Sequence, residues 1–313
     1  MSIQVSRLAP SPTGALHLGN ARTFLINWAI ARNNGWTLCM RMEDLDGPRV
    51  KQGAVEDCLQ TLQWLGLDWD GDPIIQSREL GPYLNAMEHL CQSGKVYPCD
   101  LSRSDIASVA SAPQEGAHET SFPASLRPPT AGSSITFDPG GENFRFMVHP
   151  GTTRIDDHVQ GSSNHDVHEL PGDFVVWTRR HAPAYQLAVV IDDARQGVSQ
   201  VVRGDDLLPS AARQTLLYEA LDLKTPEWWH VPLVLGEDGH RLAKRHGDTR
   251  LSSYRALGIP CERIIGLLAH WCGLTSGPEE MTIEEFRDGF DIDSLPVNPV
   301  TMRREDEQWL RSG

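Results

Sequence analysis

The stretch "APSPTGALHLGNAR", residues 9–22, constrains the fold more than any other. Val5 to Ala9 is a short extended run. Pro10 and Pro12 break it, because proline fixes φ and has no amide proton. From Leu18 the spacing turns helical, with Ala21, Leu25, Trp28 and Ala29 at i, i+4, i+7 and i+8. A strand that feeds a helix through a rigid turn leaves free N–H groups and a helix dipole at the strand's carboxyl end, and both favour negative charge. Gly19 removes a side chain where a nucleotide could approach the backbone. His17 adds a hydrogen-bond donor beside it.

The alternation then repeats. "NNG" at 33–35 closes the helix, and "WTLCMRME" has strand period. Val55, Leu59, Leu62 and Leu65 mark a second helix closed near Gly66. "IIQS" reads as a third strand, and Leu80, Leu84, Met87 and Cys91 as a third helix. This layout predicts an α/β fold built on a doubly wound parallel sheet. After Tyr97 the order weakens. Residues 104–143 are rich in Ser, Ala, Pro and Gly, and "NFRFMVHP", "TTRIDDHVQG" and "DFVVWTRR" read as short strands of a small insertion. "YQLAVVIDDA" reads as the hydrophobic strand where the sheet resumes, followed by "GVSQVVRGDDLL" and a helix in "AARQTLLYEALDL". The end of the chain reads as helical, with Ile264, Leu267, Leu268 and Trp271 on one stripe. The expected divisions are 1–97 and 183–248 for the two halves of the sheet domain, 98–182 for the α+β insertion, and 249–313 for a helical region.

A net charge of -14 argues against indiscriminate nucleic-acid binding while leaving room for a local basic surface. The six cysteines are scattered and form no C-x-x-C pair, so neither a disulfide framework nor a cysteine-rich metal site is signalled. No apolar run reaches membrane-spanning length and the amino terminus has no secretory pattern; the expectation is a cytoplasmic monomer without membrane contact.

A second chemical feature follows the probable strand "VPLVLG": the loop "GEDGHRLAKRHGD", residues 236–248, with Arg241, Lys244 and Arg245 within five residues. By itself it is a basic surface loop. Paired with His-x-Gly on the other half of a split sheet, it suits nucleotide phosphates.

At this point "RLAPSPTGALHLGNAR" resembles the HIGH signature of class I aminoacyl-tRNA synthetases in its glutamyl form, and "RLAKRHG" is similar to the KMSKS signature of the same group. "RMEDLDGPR" and "YQLAVVIDDARQGVSQVVRGDDLL" resemble further glutamyl-family segments. The likeness runs in order from about Arg7 to about Gly258. It implies a class I Rossmann-like fold split by an insertion, ATP with Mg2+, and activation of L-glutamate. His17 and Lys244 take the catalytic roles, and His17, Gly19, Asn20 and Lys244 the ATP. Arg7, Leu8, Ala9, Pro10, Ser11, Glu43, Tyr185 and Arg203 take the glutamate. Asn20 stands in place of the last histidine of HIGH, Arg241 in place of the first lysine of KMSKS, and Ala243 in place of its serine. Glutaminyl enzymes normally have P-P-E-P-N-G where this chain has "APSPTG", which favours glutamate.

The short region after "KRHGD" lacks the length of an anticodon-reading domain. In this it resembles the short glutamyl-queuosine tRNA(Asp) synthetases, and that likeness implies glutamate transfer to queuosine-34 of tRNA(Asp). Two readings stand beside it: a minimal enzyme charging tRNA(Glu), and a non-catalytic paralogue binding glutamate or tRNA. Arg179, Arg180 and Arg245 are candidate RNA contacts. Zinc is expected to be absent. Of the ligand positions that members of the family often use, Cys99 remains while the others read Leu101, Phe122 and Leu126, and apolar side chains cannot ligate. His118 and Glu119 read as solvated.

Overall fold

The computed structural model describes residues 3–102, 104–106, 121–242 and 248–312. Strands β1 (Val5–Leu8), β2 (Thr37–Met42) and β3 (Ile74–Ile75) form a parallel sheet in that order. Helices α1 (Leu18–Asn33) and α2 (Ala54–Trp64) make the crossovers, and α3 (Gly81–Gln92) follows. The period-2 and period-3.6 patterns therefore become strand and helix where they predict them.

The insertion supplies two structures. Strands β4 (Val96–Cys99), β5 (Asn143–Phe146), β8 (Phe174–Thr178) and β9 (Ala182–Pro183) make an antiparallel sheet in the order β4-β5-β8-β9. Between them in sequence, β6 (Thr153–Asp157) and β7 (Gly161–His165) form a hairpin. The chain then enters α4 (Tyr185–Arg195), β10 (Gln200–Gly204), α5 (Leu208–Ala220), β11 (Glu227–Val231) and β12 (Val234–Leu235). β10 lies beside β1, where the Ser199 amide donates to the Val5 carbonyl at 2.9 Å. β11 pairs in parallel with β10 and meets β6 at Trp228 and Asp157, so the inserted hairpin extends this sheet as β10-β11-β6-β7.

One expectation is overturned. "YQLAVVIDDA" is not a strand; it lies in α4, and the sheet resumes only at Gln200. The run of Leu187, Ala188, Val189, Val190 and Ile191 imitates a core strand because α4 is apolar on nearly every side: Gln186 to Asp193 are all buried. A helix buried all round loses the amphipathic period that marks surface helices. The "VPLVLG" strand is likewise divided, into β11 and β12, around Pro232.

The chain ends in α6 (Leu251–Ala256), α7 (Cys261–Trp271), α8 (Ile283–Gly289), β13 (Val300–Thr301) and α9 (Arg304–Arg311). These share one apolar core with α1, β1 and β2: Leu25, Leu38 and Met40 belong with Ile264, Leu268, Phe286 and Leu310. Buried Arg22 of α1 crosses this core, donating to the carbonyls of Pro232 and Trp271. A second core joins α3, α4 and α5 to strands of the insertion. Among the described residues no helix is long and apolar enough to cross a membrane.

Candidate functional site

The carboxyl ends of β1 and β10 and the start of α1 enclose a cleft of about 420 Å³. Arg7, Ala9, Pro10, Ser11, His17, Gly19, Asn20, Glu43, Tyr185 and Arg203 all line it, drawn from both halves of the split sheet. Leu8 does not. Strand alternation sends its side chain to the opposite face, where it is fully buried in the core against α1. Lys244, Ala243 and Arg245 lie outside the described residues.

His17 is the N-cap of α1. Its Nδ1 accepts from the Asn20 amide at 3.4 Å, and Asn20 Oδ1 accepts from the His17 amide at 3.3 Å. Asn20 thus closes a capping box that ties the imidazole to the helix start. With Nδ1 used as an acceptor, the ring proton sits on Nε2. Burial, then the charge of Arg241, lowers the His17 pKa from 6.5 to about 4, so the ring is neutral at physiological pH. A Cβ on Gly19 would stand 3.1 Å from His17 Cε1, so this glycine makes room for the histidine as well as for a ligand. The Leu18 amide donates to Thr249 O, and among the described residues the Gly19 amide has no acceptor within the chain.

Arg7 projects from the face of β1 opposite Leu8. Its Nε donates to Asp193 Oδ1 at 3.2 Å and its Nη1 to Val202 O at 3.2 Å. Arg41, fully buried on β2, donates to the same Asp193 oxygen at 2.6 Å, to Gln196 at 2.9 Å and to Glu43 Oε1 at 3.2 Å. Burial works against the charge on Asp193, but Arg41 and Arg7 outweigh it and hold that carboxyl below the usual range. On Glu43 burial prevails over the same two arginines and pushes the pKa up. Arg203, on β10, donates to His230 Nε2 at 2.9 Å, to Gln214 Oε1 at 2.8 Å and to Leu207 O at 3.3 Å. Its guanidinium carbon lies 4.9 Å from the centre of the Trp228 ring. The first four residues beyond the sequence reading are therefore Asp193, Arg41, His230 and Gln214. Asp193 was within sight, because two aspartates ending an apolar run need buried cations; the other three carry no local signal.

Across the cleft from Glu43, Gly204 closes β10; a Cβ there would stand 2.7 Å from Asp206 Oδ1 and 2.9 Å from Leu233 Cδ2, so these side chains would have to move for any larger residue. Leu207, Leu233 and Val234 add an apolar wall. A glycine-floored apolar wall next to a helix N-terminus suits a base joined to phosphates. The flanks of the second motif are anchored at this mouth. Arg241 pairs with Asp206 at 2.5 Å, and the Leu251 amide donates to Leu16 O at 2.9 Å.

The family model for class I tRNA synthetases (E and Q), catalytic domain, matches residues 4–309. The chain belongs to that family. It is 47% identical to a glutamyl-Q tRNA(Asp) synthetase of Rhodopirellula baltica, over 88% of this chain and 86% of that one. It is 39% identical to another so named from Symbiobacterium thermophilum, over 98% of each. A glutamate–tRNA ligase of Oleidesulfovibrio alaskensis is 37% identical over 99% of this chain and 66% of its own length. In fold the chain matches the crystal structure of a glutamate–tRNA synthetase from Elizabethkingia anophelis, with a TM-score of 0.81 at 24% identity, covering 99% of this chain and 70% of that one. The expected class I α/β architecture is thus the one observed, in a family of ligases.

In this class I synthetase the four positions read as lost zinc ligands meet in space. Cys99 and Phe122 are buried with Tyr97 and Ile106, and Leu101 and Leu126 pack against them. Among the described residues no group of three or more His, Cys, Asp or Glu could hold a metal. His118 and Glu119 lie outside the described residues. Of the candidate RNA contacts, Arg180 stands 3.5 Å from Asp46, and the Arg179 amide donates to Asn143; both side chains are exposed.

Proposed function

We propose that this chain activates L-glutamate with ATP, without tRNA, and transfers it to queuosine-34 in the anticodon of tRNA(Asp). The observation that carries the reading is one cleft that joins two buried arginines, Arg7 and Arg203, to Glu43 and to the His17–Asn20 helix start. Two cations match the two carboxylates of glutamate, and Glu43 matches its ammonium. Tyr185, exposed at the start of α4, closes the side of the pocket.

In the first step an oxygen of the glutamate α-carboxylate attacks the α-phosphorus of ATP. The new C–O–P bond forms as the bond to the β-phosphate oxygen breaks, and pyrophosphate leaves. The nucleophile is the substrate itself, so the protein's work is to position it and stabilise charge. Neutral His17 donates from Nε2 to the phosphate, Lys244 stabilises negative charge on the leaving group, and Mg2+ brought in with ATP would supply further neutralisation of phosphate charge. In the second step a hydroxyl of the queuosine cyclopentene-diol attacks the acyl carbon, AMP departs, and an ester results.

The names of the Rhodopirellula baltica and Symbiobacterium thermophilum relatives support the acceptor. The 37% likeness to a glutamate–tRNA ligase keeps a tRNA(Glu)-charging reading in view. Radiolabelled glutamate, ATP and three RNAs decide between them: tRNA(Asp) with queuosine, the same RNA with guanosine there, and tRNA(Glu). Label on the first alone is the expected result. Label on the 3′ end of tRNA(Glu) makes the chain a tRNA(Glu)-charging enzyme.

A further inference from the structure

Arg203 lines the cleft with a chain of buried hydrogen bonds behind it. Asp157, on the inserted strand β6, is buried and accepts His230 Nδ1 at 2.6 Å. The same carboxylate receives the backbone amides of Val159, Gln160 and His230, so its position is over-determined. Gln160 Nε2 donates to His230 O at 2.9 Å and locks the hairpin turn onto β11. His230, fully buried, then presents Nε2 to Arg203 Nε at 2.9 Å.

Donor counting fixes the tautomer. An arginine can only donate, so His230 Nε2 must be a lone pair and the proton must sit on Nδ1, facing Asp157. Burial, against the pull of Asp157, keeps the ring neutral, and ionised Asp157 is the acceptor that this tautomer needs. Arg203 has five N–H donors. His230, Gln214 and Leu207 take three of them among the described residues. One N–H is left on each terminal nitrogen, and a carboxylate can accept from both.

We infer that Asp157 and His230 are positioning residues that aim the Arg203 fork at the substrate carboxylate, so the insertion helps to build the amino-acid pocket. This rests on the reading of the cleft as a glutamate site. A purely structural role for His230 predicts lost stability with unchanged affinity. Aiming predicts a selective rise in the glutamate KM.

The test uses the full chain in ATP–pyrophosphate exchange with His230→Ala, His230→Gln and Asp157→Asn. A hydrogen bond to a charged group is worth about a ten- to hundredfold change in affinity. His230→Ala should raise the glutamate KM by about that factor and leave the ATP KM within about twofold. His230→Gln, whose Oε1 can still accept from Arg203, should lie nearer the wild type. An unchanged glutamate KM in folded His230→Ala overturns the inference, as does an equal rise for both substrates. If the alanine variant does not fold, the glutamine variant and the imidazole 15N spectrum of the wild type decide. His230 should be neutral and protonated on Nδ1; protonation on Nε2, or an imidazolium at pH 7, refutes the relay. A wild type that exchanges no pyrophosphate with glutamate instead refutes the functional reading, and the spectrum still judges the relay.

Discussion

His17 is a helix cap, and in the proposed mechanism also a phosphate donor; only its neutral form can be both. Burial keeps it so. Its pKa is 6.5 in an unfolded chain and about 4 here. Between those values the folded protein binds fewer protons than the unfolded chain. The stability that neutral His17 supports is therefore complete above pH 6.5 and is lost as the pH falls through that window. Denaturant unfolding of His17→Asn, which retains a cap, should show a flatter loss of stability over this range than the wild type; equal slopes would contradict the assignment. Gly19→Ala tests the neighbouring constraint. Alanine favours helix, so circular dichroism should not change, but the imidazole must shift by a few tenths of an ångström and kcat should fall by about tenfold. Lys244→Ala should slow pyrophosphate exchange by about 100- to 1,000-fold, the usual cost of one charge-stabilising contact. Wild-type rates would remove Lys244 from the mechanism. His17 and Gly19 were legible in the sequence because chemistry and local geometry coincide there: both sit where a turn enters α1. Arg41, His230 and Gln214 were not legible. Each acts through a partner distant in sequence, and no local pattern reports such pairs.

At the scale of the element, strands and helices with one buried face were readable, and α4 was not. Its apolar run ends in Asp192 and Asp193, both buried. Asp192 accepts from Gln76 and Tyr83, and Asp193 from Arg7 and Arg41. The helix is a carrier of buried charge, and its length, Tyr185–Arg195, exceeds that of an ordinary strand. That length was the available signal. The apolar cluster at Cys99, Leu101, Phe122 and Leu126 carries its own prediction. If packing holds this corner together, a chelator should leave the melting temperature unchanged, whereas Phe122→Ala should cost about 3–5 kcal/mol, as emptying a buried aromatic site does. Stoichiometric zinc in protein prepared without a histidine tag, together with melting that EDTA lowers, would overturn this.

For the whole molecule, packing joins segments that are far apart in chain order. The region after residue 249 reads as helical, and its Ile264, Leu268, Phe286 and Leu310 belong to the core shared with α1. A chain ended at Gly258 should lose cooperative unfolding and pyrophosphate exchange together. A truncated chain that melts as sharply as the full one would show that the core closes without them. The shared core also bears on the order of events during synthesis. Helix α1 ends at Asn33, and the last buried member of the core it shares is Leu310. At ~5–20 residues per second, roughly 15–55 s separate the appearance of the two. For that interval the core under α1 lacks its last buried members. Closure of this core during synthesis therefore waits on residues that lie far from the cleft in sequence.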